Sequence, residues 1–465
     1  MFRPGLVLLV ACFLFISQTF SWCAQTPPAK QQSTFTVQGS VQSPDGKPLA
    51  GARVDIRSSP SSDDTLADTA TDQDGSFAFF GVTLAPGPYL MHASAVGFGQ
   101  YEKEFTVTES GGSSVLSFSL TLKPAPTERG TSSGFTVVHI FYATDRKQQV
   151  AQNAIQYLGE RSVNGSLSYG SCDVSIPESH TVADLERPSI WRLEFYPDPE
   201  KHIMLQKVAA QPKTQFFKDV AAAVASAPAK EAFVFVHGYN VSFEDAALRT
   251  AQLDYDFGFK GAPIFYSWPS RGKLFGYLDD EDAIQQTVGN LKQFLQDVAD
   301  QSGATVVHVI AHSMGNRAML PALAQLSTDP HFKNFSKFNT VVFAAPDVDR
   351  DVFMNLVGQI KKPQNKITLY VSSNDQALAA SHLLFHKEPR AGEGGSDAIV
   401  MTGLDTVDVS KLSMDALGHS YFGDNRTVVS DLLTFLKGKI APRPGLSKVS
   451  MGSLALWQML PTTSN

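Results

Sequence analysis

Two textures of hydrophobic and polar positions divide this chain. Within residues 33–122, short runs at 34–41, 52–56, 76–80, 89–95 and 115–122 alternate apolar with polar. A period of two buries one side of each run, which is the mark of half-buried β-strands. Turn chemistry separates the runs: Ser43-Pro44-Asp45-Gly46, Asp72-Gln73-Asp74-Gly75 and Ala85-Pro86-Gly87. Glycine supplies the left-handed positions, proline presets φ, and aspartate bonds its own backbone, so these aspartates are read as turn formers and not as calcium ligands. The spacing predicts a small all-β sandwich.

Residues 123–134, rich in Pro, Gly and Ser and poor in apolar side chains, form a linker. Beyond it, apolar β-branched runs at 233–236, 262–267, 305–310, 340–344, 367–371 and 398–401 alternate with helical stretches at 213–225, 243–257, 279–300 and 351–360. Such alternation predicts a mostly parallel sheet covered by helices on both faces. Further strands are expected at its leading edge, at 169–177 and 190–196. The α/β domain is placed at 135–438, and the tail from 439 onward, lacking periodicity over 441–465, is assigned no structure.

Composition changes this picture in two places. Arg3, an apolar segment at 6–16 and polar Ser17-Gln18-Thr19 outline a secretory signal peptide over 1–24, too short to span a bilayer. The chain is therefore expected in the periplasm or the medium. A lipid anchor at Cys23 is disfavoured by the bulk of Trp22 before it. Cleavage would leave Cys172 alone of 3 cysteines, so no intramolecular disulfide is expected. A net charge of −7 gives no footprint for nucleic acid.

The candidate chemistry centres on Ile310-Ala311-His312-Ser313-Met314-Gly315. A serine at the corner between a buried strand and a helix, with small residues two positions away on either side, is how a tight strained turn exposes a nucleophilic hydroxyl. Ala311 replaces the first glycine of the usual pattern, and one methyl is a mild departure. A serine needs a base, and the base needs an orienting acid. In the chain order Ser, Asp, His, Asp375 at the end of the run 368–375 is the acid, with Asp347 in Ala345-Pro346-Asp347 as the alternative acid, and His419 is the base. The oxyanion donors are the backbone N–H groups of Tyr239, after His237-Gly238, and of Met314. His312 is expected to point away from the Ser313 hydroxyl, and His382 with His386 lacks the glutamate of a metalloprotease helix, so no metal is assigned. No cofactor is needed. The segment 383–396 is the candidate mobile cover. Asp145, Arg146 and Arg271 lie at strand ends, where local turn bonding is as good a reading as pocket lining.

Two resemblances sharpen this. Pro44-Asp45-Gly46-Lys47-Pro48-Leu49-Ala50-Gly51-Ala52, the stretch 72–79 and Pro86-Gly87-Pro88-Tyr89 resemble the carboxypeptidase regulatory-like domain, a transthyretin-like sandwich. Phe141-Tyr142-Ala143-Thr144-Asp145-Arg146, His237-Gly238-Tyr239-Asn240, Tyr266-Ser267-Trp268-Pro269-Ser270, Ala311 to Arg317 and Gly418-His419-Ser420-Tyr421 resemble a largely uncharacterised family of exported or membrane-associated bacterial α/β hydrolases, lipase- or esterase-like. That resemblance implies an α/β-hydrolase fold with Ser313 as nucleophile and implies no substrate. The expected function is an exported serine hydrolase cleaving a small-molecule or lipid-like ester through an acyl-enzyme. An amidase or peptidase using the same residues is the alternative, as is an inert scaffold of hydrolase fold whose sandwich meets a cell-envelope partner. Pro321 is expected to kink or shorten the helix after Ser313.

Overall fold

The computed structural model describes residues 33–49, 52–58, 65–71, 74–95, 101–108, 115–122, 134–151, 154–186, 198–271, 277–360, 366–375, 378, 388–412 and 421–461. The expected signal segment, most of the expected linker, the expected strand at 190–196, and His382, His386 and His419 lie outside the described residues.

The N-terminal unit is a sandwich of β1 (Ser33–Gln42), β2 (Arg53–Arg57), β3 (Thr65–Ala70), β4 (Ser76–Leu84), β5 (Gly87–Ser94), β6 (Tyr101–Val107) and β7 (Val115–Thr121). One sheet runs β4-β1-β7 and the other β3-β2-β5-β6. Val37, Val41, Val54, Ile56, Phe77, Phe79, Met91 and Leu120 meet between them. β3 and β6 were not anticipated. In β6 the charged run Glu102-Lys103-Glu104 hides the alternation that Tyr101, Phe105 and Val107 carry.

The second unit contains β8 (Phe135–Thr144), the hairpin β9 (Arg146–Ala151) and β10 (Ala154–Arg161), then β11 (Ser168–Pro177) and β12 (Met204–Gln211). There follow α1 (Lys213–Ser226), β13 (Glu231–Val236), α2 (Phe243–Phe257), β14 (Ala262–Ser267), α3 (Tyr277–Gln301), β15 (Val306–His312), α4 (Asn316–Thr328), β16 (Thr340–Ala344), α5 (Arg350–Ile360) and β17 (Lys366–Val371). The unit closes with β18 (Asp405–Asp408), a short turn of helix Tyr421–Asp424, α6 (Arg426–Leu436), β19 (Leu446–Met451) and β20 (Leu454–Met459). Among the described residues the sheet has 11 strands in the order β12-β11-β8-β14-β13-β15-β16-β17-β18-β20-β19. From β8 to β20 neighbours are parallel, and the antiparallel pairs sit at the two edges. This is an α/β-hydrolase fold, as the alternation of runs predicts.

Strand alternation builds a core on each face. In β13, Ala232, Val234 and Val236 pack with α1, α3, α4 and α5, while Phe233 and Phe235 pack with α2 and α6. With both faces covered, these strands read as continuous apolar runs. The loop after β11 is pinned to α2 by His180, whose Nδ1 lies 2.8 Å from Glu186 Oε2 and whose Nε2 lies 2.8 Å from Asp256 Oδ1.

Three expectations need correction. The strand next to β17 is β18 at Asp405–Asp408, not 398–401. Ala398 and Ile399 are buried but follow a tight turn, so their apolarity serves the core while Thr406, Val407 and Asp408 make the ladder. The tail is not structureless: β20 pairs in parallel with β18 (Val407 opposite Trp457) and folds back into β19. Arg443 fastens it, donating to both carboxylate oxygens of Asp431 on α6 at 2.7 and 2.9 Å. Tyr370 OH also donates to Asp431, at 2.6 Å. Finally, α4 runs through Pro321 to Thr328. Burial of Met319, Leu320, Ala322 and Leu323 beside it holds the helix across the missing N–H.

Candidate functional site

β15 delivers Ser313 to the carboxyl edge of the sheet, where the chain turns sharply into α4. Ser313 has φ +51°, in the left-handed region that a residue with a Cβ adopts only when its surroundings over-determine it. Those surroundings are close. A Cβ on Gly315 would stand 2.3 Å from the His237 carbonyl oxygen, and one on Gly238 would stand 2.9 Å from Ser313 Cβ. Both glycines are required by approach distance, whereas the Ala311 methyl is absorbed in the core. Asn316 Nδ2 donates to the Ser313 carbonyl at 2.9 Å, and the Asp347 N–H donates to it at 3.3 Å. Asn316 is therefore a brace for the turn; sequence reasoning missed it because an asparagine in a helix's first turn has many ordinary uses.

The loop after β13 lies against Ser313. It carries His237, Gly238, Tyr239 and Asn240, the last at φ +57°, before Ser242 caps α2 with Asp245 in a reciprocal box. Tyr239 is half-buried and Met314 fully buried. Behind the loop is a buried polar hub that the sequence only hinted at. Arg146 donates to Ser267 Oγ (2.8 Å), the Ser270 carbonyl (2.9 Å) and the Val241 carbonyl (2.7 Å). Its Nη2 also lies 3.3 Å from His237 Nε2. Trp268 stacks on His237 at 5.2 Å and 14° and donates from Nε1 to the His237 carbonyl at 2.8 Å. Burial, with the Arg146 charge adding to it, pushes His237 down to about 3. Burial also raises Asp280 to about 6, although it accepts from Ser270 Oγ (2.7 Å) and the Arg271 N–H (2.8 Å). Arg271 thus contributes a backbone bond to this hub.

The two acid candidates differ in their company. Asp347, after β16, shares its oxygens between two guanidinium groups: Oδ1 accepts from Arg390 Nε at 2.9 Å and Oδ2 from Arg317 Nη2 at 3.1 Å. Its carbonyl accepts from both arginines as well. Asp375, after β17, is 3 % exposed and accepts from the Leu378 N–H at 3.0 Å. In register, His312, Ala344 and Tyr370 lie side by side, so Ser313 and Asp375 emerge at the same sheet edge, two strands apart.

His419 lies outside the described residues, and the chain re-enters at Tyr421–Asp424. There Phe422 stacks on His312 at 4.4 Å and 25°, which holds that histidine to the aromatic side of the turn. Arg249 lies 5.7 Å from the Phe422 ring and pairs with Asp424 at 2.6 Å. The described part of the candidate cover is built in. Ala391 and Gly392 N–H bond to Val348 and Pro346 at 2.8 and 3.0 Å, and Arg390 is 4 % exposed. Residues 388–396 therefore lock the Asp347 segment in place, and 383–387 lie outside the described residues. Among the described residues no His, Cys, Asp and Glu cluster is placed to hold a metal ion, and no helix is long and apolar enough to cross a membrane.

The second unit has the architecture of the α/β-hydrolase class, with a serine at its strand-to-helix corner. Residues 212–435 match the model of the family described as "Alpha/beta hydrolase of unknown function (DUF900)", and residues 36–121 match the carboxypeptidase regulatory-like domain. The chain thus carries both domains that its motifs resemble. No curated protein matches it. Among solved structures, a protein described as a predicted CIB-like hydrolase of Thermoplasma acidophilum is similar at 15 % identity over 46 % of this chain and 88 % of its own, TM-score 0.29. An esterase of Pyrococcus furiosus is similar at 11 % identity over 44 % and 81 %, TM-score 0.25. A chlorocatechol 1,2-dioxygenase of Pseudomonas putida is similar at 15 % identity over 21 % of this chain, TM-score 0.15, and the chain spans under two thirds, 63 %, of its length.

Proposed function

We propose that the protein is a serine hydrolase acting on carboxylic esters, with Ser313 as nucleophile. The observation that carries this reading is the strained φ of Ser313, +51°, maintained by glycines whose replacement would collide with neighbouring backbone or with Ser313 itself. Strain of that kind is retained where it serves chemistry. Ser313 Oγ attacks the acyl carbonyl carbon while His419 takes its proton, and the tetrahedral oxyanion accepts from the Tyr239 and Met314 N–H groups. Collapse expels the alcohol, which leaves with the proton from His419. Water then enters by the same route and gives a proton to His419, which passes it to Ser313 Oγ as the second tetrahedral intermediate collapses and the acid leaves.

Asp375 is the acid that orients His419. Supporting this choice, Asp347 already gives an oxygen to each of two arginines and braces the Ser313 carbonyl through its own N–H. The apolar stretch at 6–16 behind Arg3 supports export.

The test is labelling by a fluorophosphonate together with a series of p-nitrophenyl esters of rising acyl length. Wild type should label and turn over at least one ester, and Ser313→Ala should do neither. Equal labelling of Ser313→Ala refutes the assignment. Turnover of anilides with none of the esters would make the protein an amidase.

A further inference from the structure

We infer that His237 is a positioning residue for the oxyanion hole: its Nδ1–H holds the Gly238 carbonyl toward β14, so the Tyr239 N–H is aimed toward Ser313, and Arg146 fixes the tautomer that allows it. This rests on the reading of Ser313 as nucleophile and of Tyr239 as an oxyanion donor.

Each nitrogen of His237 has partners that agree on one protonation state. Nε2 faces Arg146 Nη2 at 3.3 Å and Ser267 Oγ at 3.1 Å. A guanidinium has no acceptor, so Nε2 must carry the lone pair. Ser267 Oγ already accepts from Arg146 Nε at 2.8 Å, which frees its hydroxyl hydrogen for Nε2. Nδ1 then holds the ring's only N–H, and it lies 2.8 Å from the Gly238 carbonyl oxygen, which can only accept. A second proton on Nε2 would meet the Arg146 charge in a site 1 % exposed.

The consequence follows from peptide geometry. In a planar trans peptide the C=O of one residue and the N–H of the next point in opposite directions. The His237 ring stacks on Trp268 and meets Ser267, both at the end of β14. Ser313 stands at the end of β15, on the other side of β13. A Gly238 carbonyl turned to the ring therefore sends the Tyr239 N–H to the Ser313 side. Arg146 holds the far end of the same loop through the Val241 carbonyl at 2.7 Å, so one buried cation sets both the tautomer and the loop's exit.

Two substitutions separate this role from simple packing. His237→Asn keeps an N–H where Nδ1 stood and loses the stack on Trp268; His237→Phe keeps the stack and loses the donor. Loss of a whole oxyanion donor lowers kcat by about 10²–10³-fold, so a mis-aimed one should lower it by about tenfold or more. The expected result on a p-nitrophenyl ester is that kcat falls at least about tenfold in His237→Phe, with KM within about threefold, and that His237→Asn recovers most of it. Full kcat in His237→Phe, or equal loss in both variants, overturns the inference. Nitrogen NMR of the ¹⁵N-histidine-labelled wild type, with the His237 signals assigned by their loss in His237→Asn, supplies a readout independent of turnover. A neutral ring protonated at Nδ1 from pH 5 to pH 8 is expected, and an Nε2–H tautomer or a protonated ring in that range overturns it. If wild type hydrolyses no ester and Ser313→Ala labels as wild type does, the Ser313 reading falls, while the spectrum still decides the state of His237.

Discussion

Neutralising His180 should loosen the second domain in a pH window that the structure specifies. Its ring is 1 % exposed and clasped between Glu186 and Asp256. Burial alone would depress its pKa, but the hydrogen bonds to Asp256 and Glu186 outweigh that and raise it to about 9. Glu186 responds in the opposite sense: burial works against its charge, His180 and the Thr181 N–H more than offset this, and its pKa is lowered. Between the unfolded value of 6.5 and about 9, the folded chain holds a proton that the unfolded chain releases. Stability therefore falls as pH rises through that window. A pKa moved from 6.5 to about 9 corresponds to about 3 kcal/mol, fully present below pH 6.5 and gone above about 9. In His180→Gln that contribution is absent at every pH. Urea unfolding followed by tryptophan fluorescence measures it cleanly, because Trp22, Trp191, Trp268 and Trp457 all lie outside the sandwich at 33–122. The difference in unfolding free energy between wild type and His180→Gln should shrink by about 3 kcal/mol from pH 6 to pH 10. A difference that stays constant, or grows, would refute the charged clasp.

Three further outcomes are expected. Asp375→Asn should lower kcat by about 10⁴-fold with the melting temperature little changed, whereas Asp347→Asn should lower the melting temperature by weakening the Arg317 and Arg390 bridges and keep more of its turnover; the reverse pattern would exchange their roles. Gly315→Ala drives a methyl to 2.3 Å from the His237 carbonyl, and should cost about 1–3 kcal/mol in a urea melt and reduce the rate of fluorophosphonate labelling at least about tenfold. Arg443→Met leaves the Asp431 carboxylate buried without its bidentate partner and should destabilise by about 3–5 kcal/mol in the same assay.

What the sequence discloses and what it conceals differ in kind. The helix at Phe243–Phe257 and the strands at Ala262–Ser267 and Thr340–Ala344 are legible to the residue, because caps and a two-sided apolar run act locally. β18 is not, since Asp405-Thr406-Val407-Asp408 earns its place only by lying between β17 and β20. The strained turn at Ser313 is legible because a tight turn admits few residues at its corners. Arg146 is opaque for the opposite reason: its partners, at positions 237, 241, 267 and 270, lie at or just after two strand ends, those of β13 and β14, that meet its own at the end of β8 only in the folded sheet. Asp347 and Asp375 read alike in the sequence and are told apart by the guanidinium groups that fold in from elsewhere.

The hairpin at Leu446–Met459 bears on how this protein can be handled. The boundary that sequence composition suggests falls at 438, and a recombinant chain stopped there would leave the backbone of Thr406 to Asp408 uncovered along an open strand edge. An uncapped edge in a parallel sheet is a template for another copy. Shortened preparations should therefore precipitate or form ladders on native gels, and a purification tag is better placed after Asn465, six residues beyond the last strand, than substituted for it.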